Sequence, residues 1–312
     1  MKVALAQIAP VLFDREATLA RVIEASNRAA DGGAKLVVFG EGLVPGYPVW
    51  LDRGRGAEFD SPRNKRWHAA YLESAVVPEV GHLDELKQLA ADRGLTVVLG
   101  TLERAQDRGG QSLYCSAMTI GAAGDLLSVH RKLMPTYEER LSWSPGDGHG
   151  LAVHDLEEFR LGTLNCWENW MPLARAALYA QGETLHCAIW PGNERNTRDL
   201  TPVLAKEGRS FVLSVSGILR AEDVPNDFPL REELGLSDGE WLLGGGSCAC
   251  APDGSFLLEP VTGREAVEIV DLDIARVREE RQNFDPSGHY SRPDVFELSV
   301  DRRRQGLVNF RD

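Results

Sequence analysis

The stretch RLGTLNCWENWMPLARAALYAQG, residues 160–182, decides the fold class. Its first seven residues read as a strand. Pro172 near the first turn and Gly182 at the end bracket a helix over the last twelve. Strand, short elbow and helix form the unit from which layered α/β proteins are built. The same alternation runs outward in both directions. Towards the N-terminus, residues 3–8 are a short apolar strand. Asp14 caps a helix running to about Ala30, with Leu19, Val22, Ile23 and Ala30 on one face and Gly32-Gly33 as the stop. Residues 36–39 are continuously apolar, as expected of a strand covered on both faces. Residues 46–68 are aromatic, charged and irregular, and read as a long surface excursion. A helix around 83–91 ends at Gly94, LTVVLGTLE is a strand, and SLYCSAMTI and LLSVHRK are strands joined by the turn GAAGD. Towards the C-terminus come the strand LHCAIWPG, a helix near 200–206 and the strand FVLSVSGIL. Strands near 246–251 and 255–258 flank the turn PDG, and AVEIVDL follows. This pattern predicts one α/β domain over residues 1–312, with two sheets covered by helices. A polar, charged extension begins at about 285.

The composition of the 312 residues is 43% hydrophobic and 26% charged, which supports a large core. A formal net charge of −13 argues against a nucleic-acid or anionic-membrane surface. No window approaches a membrane span, and MKVALAQIAP lacks the features of a signal peptide. Five cysteines, an odd number, point to free thiols in a reducing cytoplasm rather than a disulfide scaffold.

The informative residues sit where strands stop. KLVVFGE places Glu41 at the end of an apolar strand, SVHRK does the same for Lys132, and LGTLNC for Cys166. In α/β sheets the carboxyl ends of strands collect ligands and catalytic groups. Taken singly, each residue has a plain explanation: a capping carboxylate, a snorkelling lysine, a buried thiol. Jointly they supply a general base, an anion stabiliser and a nucleophile.

At these residues the chain resembles the nitrilase branch of the carbon–nitrogen hydrolase superfamily, whose catalytic set is Glu, Lys and Cys. GEGLVPGYPVW carries the match at Glu41, HRKLMPTYEERLSWSPGDG at Lys132, and LNCWENW at Cys166. The family's second glutamate falls on Glu139 through the PTxxER spacing, and SGHYSRPDVFEL is similar to the nitrilase C-terminal signature. The resemblance implies a four-layer α-β-β-α sandwich and a homodimer or larger homo-oligomer.

It also implies a reaction. Glu41 takes the thiol proton and Cys166 attacks a nitrile carbon. Lys132 and the Trp167 N–H stabilise the developing charge, and Glu139 orients the reacting groups. No step calls for a metal or an organic cofactor. Trp167, Tyr47, Trp190 and Pro191 are the expected pocket residues, with core filling as the alternative for Tyr47. Cys115 and Cys187 read as structural. Cys248-Ala-Cys250 lacks a second pair at zinc spacing, Gly244-Gly245-Gly246 is no nucleotide fingerprint, and no histidine has a context as specific as the Glu–Lys set. Cyanide dihydratase, an amidase or carbamoylase, and a catalytically silent assembly module are the competing readings.

Overall fold

The computed structural model describes all residues of the chain except 227, 229, 230, 233, 307 and 309–312. Thirteen strands among the described residues form two sheets. The first holds β1 (Lys2–Gln7), β2 (Leu36–Phe39), β3 (Thr96–Arg104), β4 (Leu113–Ile120) and β5 (Leu126–Arg131) in that spatial order. The second places β6 (His154–Leu156), β7 (Phe159–Asn165), β8 (Leu185–Trp190), β9 (Phe211–Ser216), β11 (Trp241–Cys250) and β10 (Ile218–Arg220) side by side, with β12 (Phe256–Thr262) also on β11. The late strand β13 (Ala266–Asp271) returns to the first sheet, antiparallel to β1. β1, β2 and β3 run parallel, as do β7, β8 and β9.

Period-two alternation explains the layering. Leu36 and Val38 of β2 point between the sheets, against Leu161 of β7, Ile189 of β8 and Leu213 of β9. Val37 and Phe39 point outward, onto Leu19 and Val22 of α1 (Arg15–Asp31) and Leu86 of α4 (Asp84–Arg93). On the far face, α5 (Pro172–Tyr179) and α6 (Glu194–Gly208) cover Leu164, Ala188 and Val212. The result is helices, sheet, sheet, helices: the α-β-β-α sandwich. Asp14 caps α1 by accepting the Ala17 N–H, and Gly94 ends α4 in the left-handed region, both as the sequence implies.

Two expectations need correcting, and one helix was not expected. Residues 46–68 are only in part a surface excursion: residues 57–60 are exposed, but the segment is not irregular throughout and part of it is buried. They carry α2 (Trp50–Arg53) and the start of α3 (Pro62–Ser74), and Trp50, Leu51, Trp67 and Tyr71 are buried with Phe13 and Phe228. Aromatic packing and the Tyr71 hydroxyl, donating to Gly46 O over 2.7 Å, hold a segment whose charged sequence hides its apolar face. Helix α6 starts at Glu194, well before residue 200, because Asn193 caps it. A final helix α7 (Ile274–Arg281) buries only Ile274 and Val277, too few for its periodicity to stand out. Beyond it, the polar extension is anchored where Arg304 and the Gln305 N–H bind Asp147 at 3.0 and 3.1 Å. Among the described residues no helix is long and apolar enough to cross a membrane.

Candidate active site

β2, β5 and β7 stop at one place, and the residues just past their ends are Glu41, Lys132 and Cys166. Lys132 Nζ lies 2.8 Å from Glu41 Oε1 and 2.7 Å from Glu139 Oε2. A carboxylate oxygen of Glu41, one of Glu139 and the Cys166 Sγ lie within 4.8 Å of one another. All four side chains are buried. Two carboxylates and a thiol in this arrangement suit a cation, and the Lys132 ammonium already sits on both carboxylates.

Each group is held from behind. The Glu41 N–H crosses between sheets to donate to Trp190 O over 3.0 Å. That approach depends on glycine: a Cβ on Gly40 would lie 2.6 Å from Gly217 N, and one on Gly100 only 2.1 Å from Gly40 O. Cys166 has φ of +45°, a left-handed conformation that side chains disfavour. Asn169 Nδ2 donates to its carbonyl over 2.8 Å, and Asn169 Oδ1 is 2.7 Å from His186 Nε2, whose Nδ1 meets Glu183 at 2.8 Å. This buried chain fixes the elbow from the helix side. Glu139 accepts the Thr136 N–H over 2.6 Å and the Tyr47 hydroxyl over 2.8 Å.

Burial dominates the electrostatics. It pushes the Glu41 carboxyl up to about 7, although Lys132 pulls the other way. Burial and the Glu41 charge together hold the Cys166 thiol well above its ordinary range, against Lys132 and the Trp167 N–H. For Lys132, burial favours the neutral amine but is outweighed by Glu41, Cys166 and Glu139, so the group stays an ammonium. The resting site therefore holds a thiol beside a carboxylate that exchanges protons near neutrality. Glu41 Oε2 is buried with no hydrogen-bond partner among the described residues, leaving it open to take a proton.

A carbon–nitrogen hydrolase family profile matches residues 2–282. The chain belongs to that family. Among its relatives, Nitrilase 2 from an unknown prokaryotic organism is 36% identical, over 98% of this chain and 94% of its own. The aliphatic nitrilase of Sinorhizobium fredii is 34% identical, over 98% and 97%. A mutant of the amidase from Nesterenkonia sp. AN1, showing Michael addition of acrylamide at its active site cysteine, shares the fold. Its TM-score is 0.66 at 19% identity, covering 91% of this chain and 97% of that one.

Within this carbon–nitrogen hydrolase the expected pocket residues separate. Tyr47 meets Glu139 directly and packs edge-on against Trp143, whose ring lies 5.5 Å from Lys132 Nζ. Trp167 is half-exposed beside Cys166. Trp190 is buried in the apolar cluster that contains Cys166, Ala188 and Leu200, and its carbonyl receives the Glu41 N–H. Pro191 is only partly buried next to it. Sequence reasoning missed Cys115, whose Sγ lies 3.5 Å from Glu41 Oε1, as well as Trp143, Glu168, Asn169 and His186. One signal was readable. Thr136-x-x-Glu139 and Asn165-x-x-Glu168 share a spacing in which a glutamate reaches back to a main-chain N–H three residues earlier.

Proposed function

We propose that the chain is a nitrilase, converting an organic nitrile and two waters into a carboxylic acid and ammonia, with Cys166 as nucleophile. The observation that carries this reading is the Lys132 ammonium bridging Glu41 and Glu139 beside the buried Cys166 thiol. The names of the relatives at 34–36% identity, over nearly the whole chain, favour nitriles as substrates. The chain then works as a single hydrolase domain over residues 1–312, with an extension from about 285.

Glu41 accepts the Cys166 proton as sulfur adds to the nitrile carbon, and returns it to nitrogen to give a thioimidate. Lys132 and the Trp167 N–H face the charge that develops on nitrogen. Glu41 next takes a proton from water as it adds to the carbon and gives it to nitrogen, then passes the new hydroxyl proton to nitrogen as well. Ammonia leaves as the carbon–nitrogen bond breaks, and a thioester and an ionised Glu41 remain. A second water, deprotonated by Glu41, cleaves the thioester and frees the acid and the thiol. Glu139 holds Lys132 in place through one oxygen and Tyr47 through the other.

A homo-oligomer accompanies this reading. Trp167, Trp170, Met171 and Leu173 are exposed on the elbow and the start of α5, an apolar surface beside the nucleophile. Five free, buried cysteines support a place in the cytoplasm.

The test is a panel of nitriles and their matching amides, with ammonia and acid both measured, for wild type and Cys166→Ala. Nitrile hydrolysis that vanishes in Cys166→Ala supports the reading. Efficient amide cleavage with every nitrile untouched replaces it with an amidase.

A further inference from the structure

We propose that Glu168 is a positioning residue for this reaction, one buried carboxylate that sets the lysine strand end and the cysteine strand end relative to each other. Glu168 Oε1 accepts the main-chain N–H of Leu133 over 2.6 Å, and Oε2 accepts that of Asn165 over 2.7 Å. Leu133 directly follows Lys132, and Asn165 directly precedes Cys166. The two oxygens thus tie the first sheet to the second where ammonium and thiol have to meet. His130, two residues before Lys132, places Nε2 at 3.1 and 3.0 Å from the same oxygens.

Glu168 is buried, and both its oxygens are occupied by groups of the protein. It therefore acts through Lys132 and Cys166 rather than on the substrate. A buried carboxylate is stable only with such donors around it. Burial opposes its ionisation, but His130 and the two N–H groups outweigh that and hold the carboxyl below its ordinary range. A neutral amide at this position offers one acceptor oxygen, so it can satisfy one of the two N–H groups and must turn an NH2 group towards the other. Either choice releases one strand end. A misplacement on the order of an ångström between reacting groups costs roughly a hundredfold in rate.

Glu168 holds this role only if Cys166 and Lys132 are the reacting pair, as proposed above, and the test separates the two. Glu168→Gln keeps the side-chain volume. With folding verified by circular dichroism, its kcat for nitrile hydrolysis should fall by about thirtyfold to a hundredfold, while KM changes by less than about threefold. A role in folding alone would leave kcat per folded molecule intact. The pH profile of Cys166 alkylation by iodoacetamide should also move to higher pH, because Lys132 would drift from a thiol whose other charged neighbours, Glu41 and Glu139, are both acidic.

A folded Glu168→Gln with wild-type kcat and an unmoved alkylation profile overturns the role. If that variant does not fold, His130→Gln and His130→Leu decide, since glutamine retains a donor towards Glu168 and leucine does not. Turnover should be lower in His130→Leu, and equal turnover overturns the role. Should wild type hydrolyse no nitrile, or Cys166→Ala match wild type, the nitrilase reading fails. The alkylation profile then still reports whether Glu168 positions Cys166.

Discussion

The Tyr47 hydroxyl donates to Glu139 Oε1 over 2.8 Å, leaving the other oxygen of that carboxylate to Lys132 at 2.7 Å. Glu139→Gln keeps the shape but removes the charge beside the ammonium, and turnover should fall by roughly two powers of ten. Tyr47→Phe loses one hydrogen bond to a charged group, about 2 kcal/mol, so turnover should fall by about thirtyfold. Glu138 instead lines an outer cleft of about 520 Å³ with Leu51, Arg55 and Tyr137, and Glu138→Gln should be nearly silent. Steady-state rates of the three variants check the assignment. A crippled Glu138→Gln beside a healthy Glu139→Gln would place the second glutamate one residue earlier.

Glu41, raised by burial to about 7, should set the acid limb of the pH profile if it is the base. A general base works only when ionised, so kcat/KM should drop as pH falls below about 7 and level off above it. Stability moves the other way. From the ordinary 4.5 up to about 7, the unfolded chain loses this proton while the folded chain keeps it. The folded state binds more protons there, and its stability relative to Glu41→Gln should decline as pH rises through about 7. Urea midpoints of the two proteins between pH 5 and 8 measure this. A flat kcat/KM from pH 5 to 7 would remove Glu41 from the role of base.

Cys115 and Cys187 are both fully buried strand cysteines, but only Cys115 touches the site, through Glu41 Oε1. Cys115→Ala should lower turnover several-fold, because Glu41 loses a neighbour that holds its orientation. Cys187→Ala should cost about 1 kcal/mol of stability, the usual scale for a single substitution, and leave turnover unchanged. Equal effects on turnover would mean that the contact with Glu41 is incidental.

Leu173 is exposed on the first turn of α5, close to Trp170 and Met171. If this surface joins subunits, Leu173→Glu should shift the light-scattering mass downward and reduce activity with it. A wild type that is active as a monomer at micromolar concentration would dispose of the interface.

Much of the fold was legible because the strands announce themselves. Leu36 to Phe39 are apolar without a break, and MPLARAALYAQG carries its own start and stop. Residues 46–68 were misread in part because Trp50, Leu51 and Trp67 are spaced among charges that face solvent, and only tertiary packing shows which side is buried. Glu41, Lys132 and Cys166 were visible as strand ends. Glu168 and Asn169 were hidden beside Cys166, since nothing in LNCWENW tells which side chains turn inward to hold the main chain and which turn outward, as Trp167 and Trp170 do.

The hydrogen bond from the Glu41 N–H to Trp190 O, with Gly40 pressed on Gly217, joins the sheets beside the proposed reaction centre. In the proposed reaction, base and ammonium belong to the first sheet and the thiol to the second, so neither half of the chain would contain a working centre. During refolding, ammonia release should appear only after both sheets have docked, later than the circular dichroism signal of either. Two separately produced fragments, cut in the loop between Lys132 and β6, would each be inert and would recover turnover only on recombining. Turnover would thus serve as a built-in reporter of completed assembly.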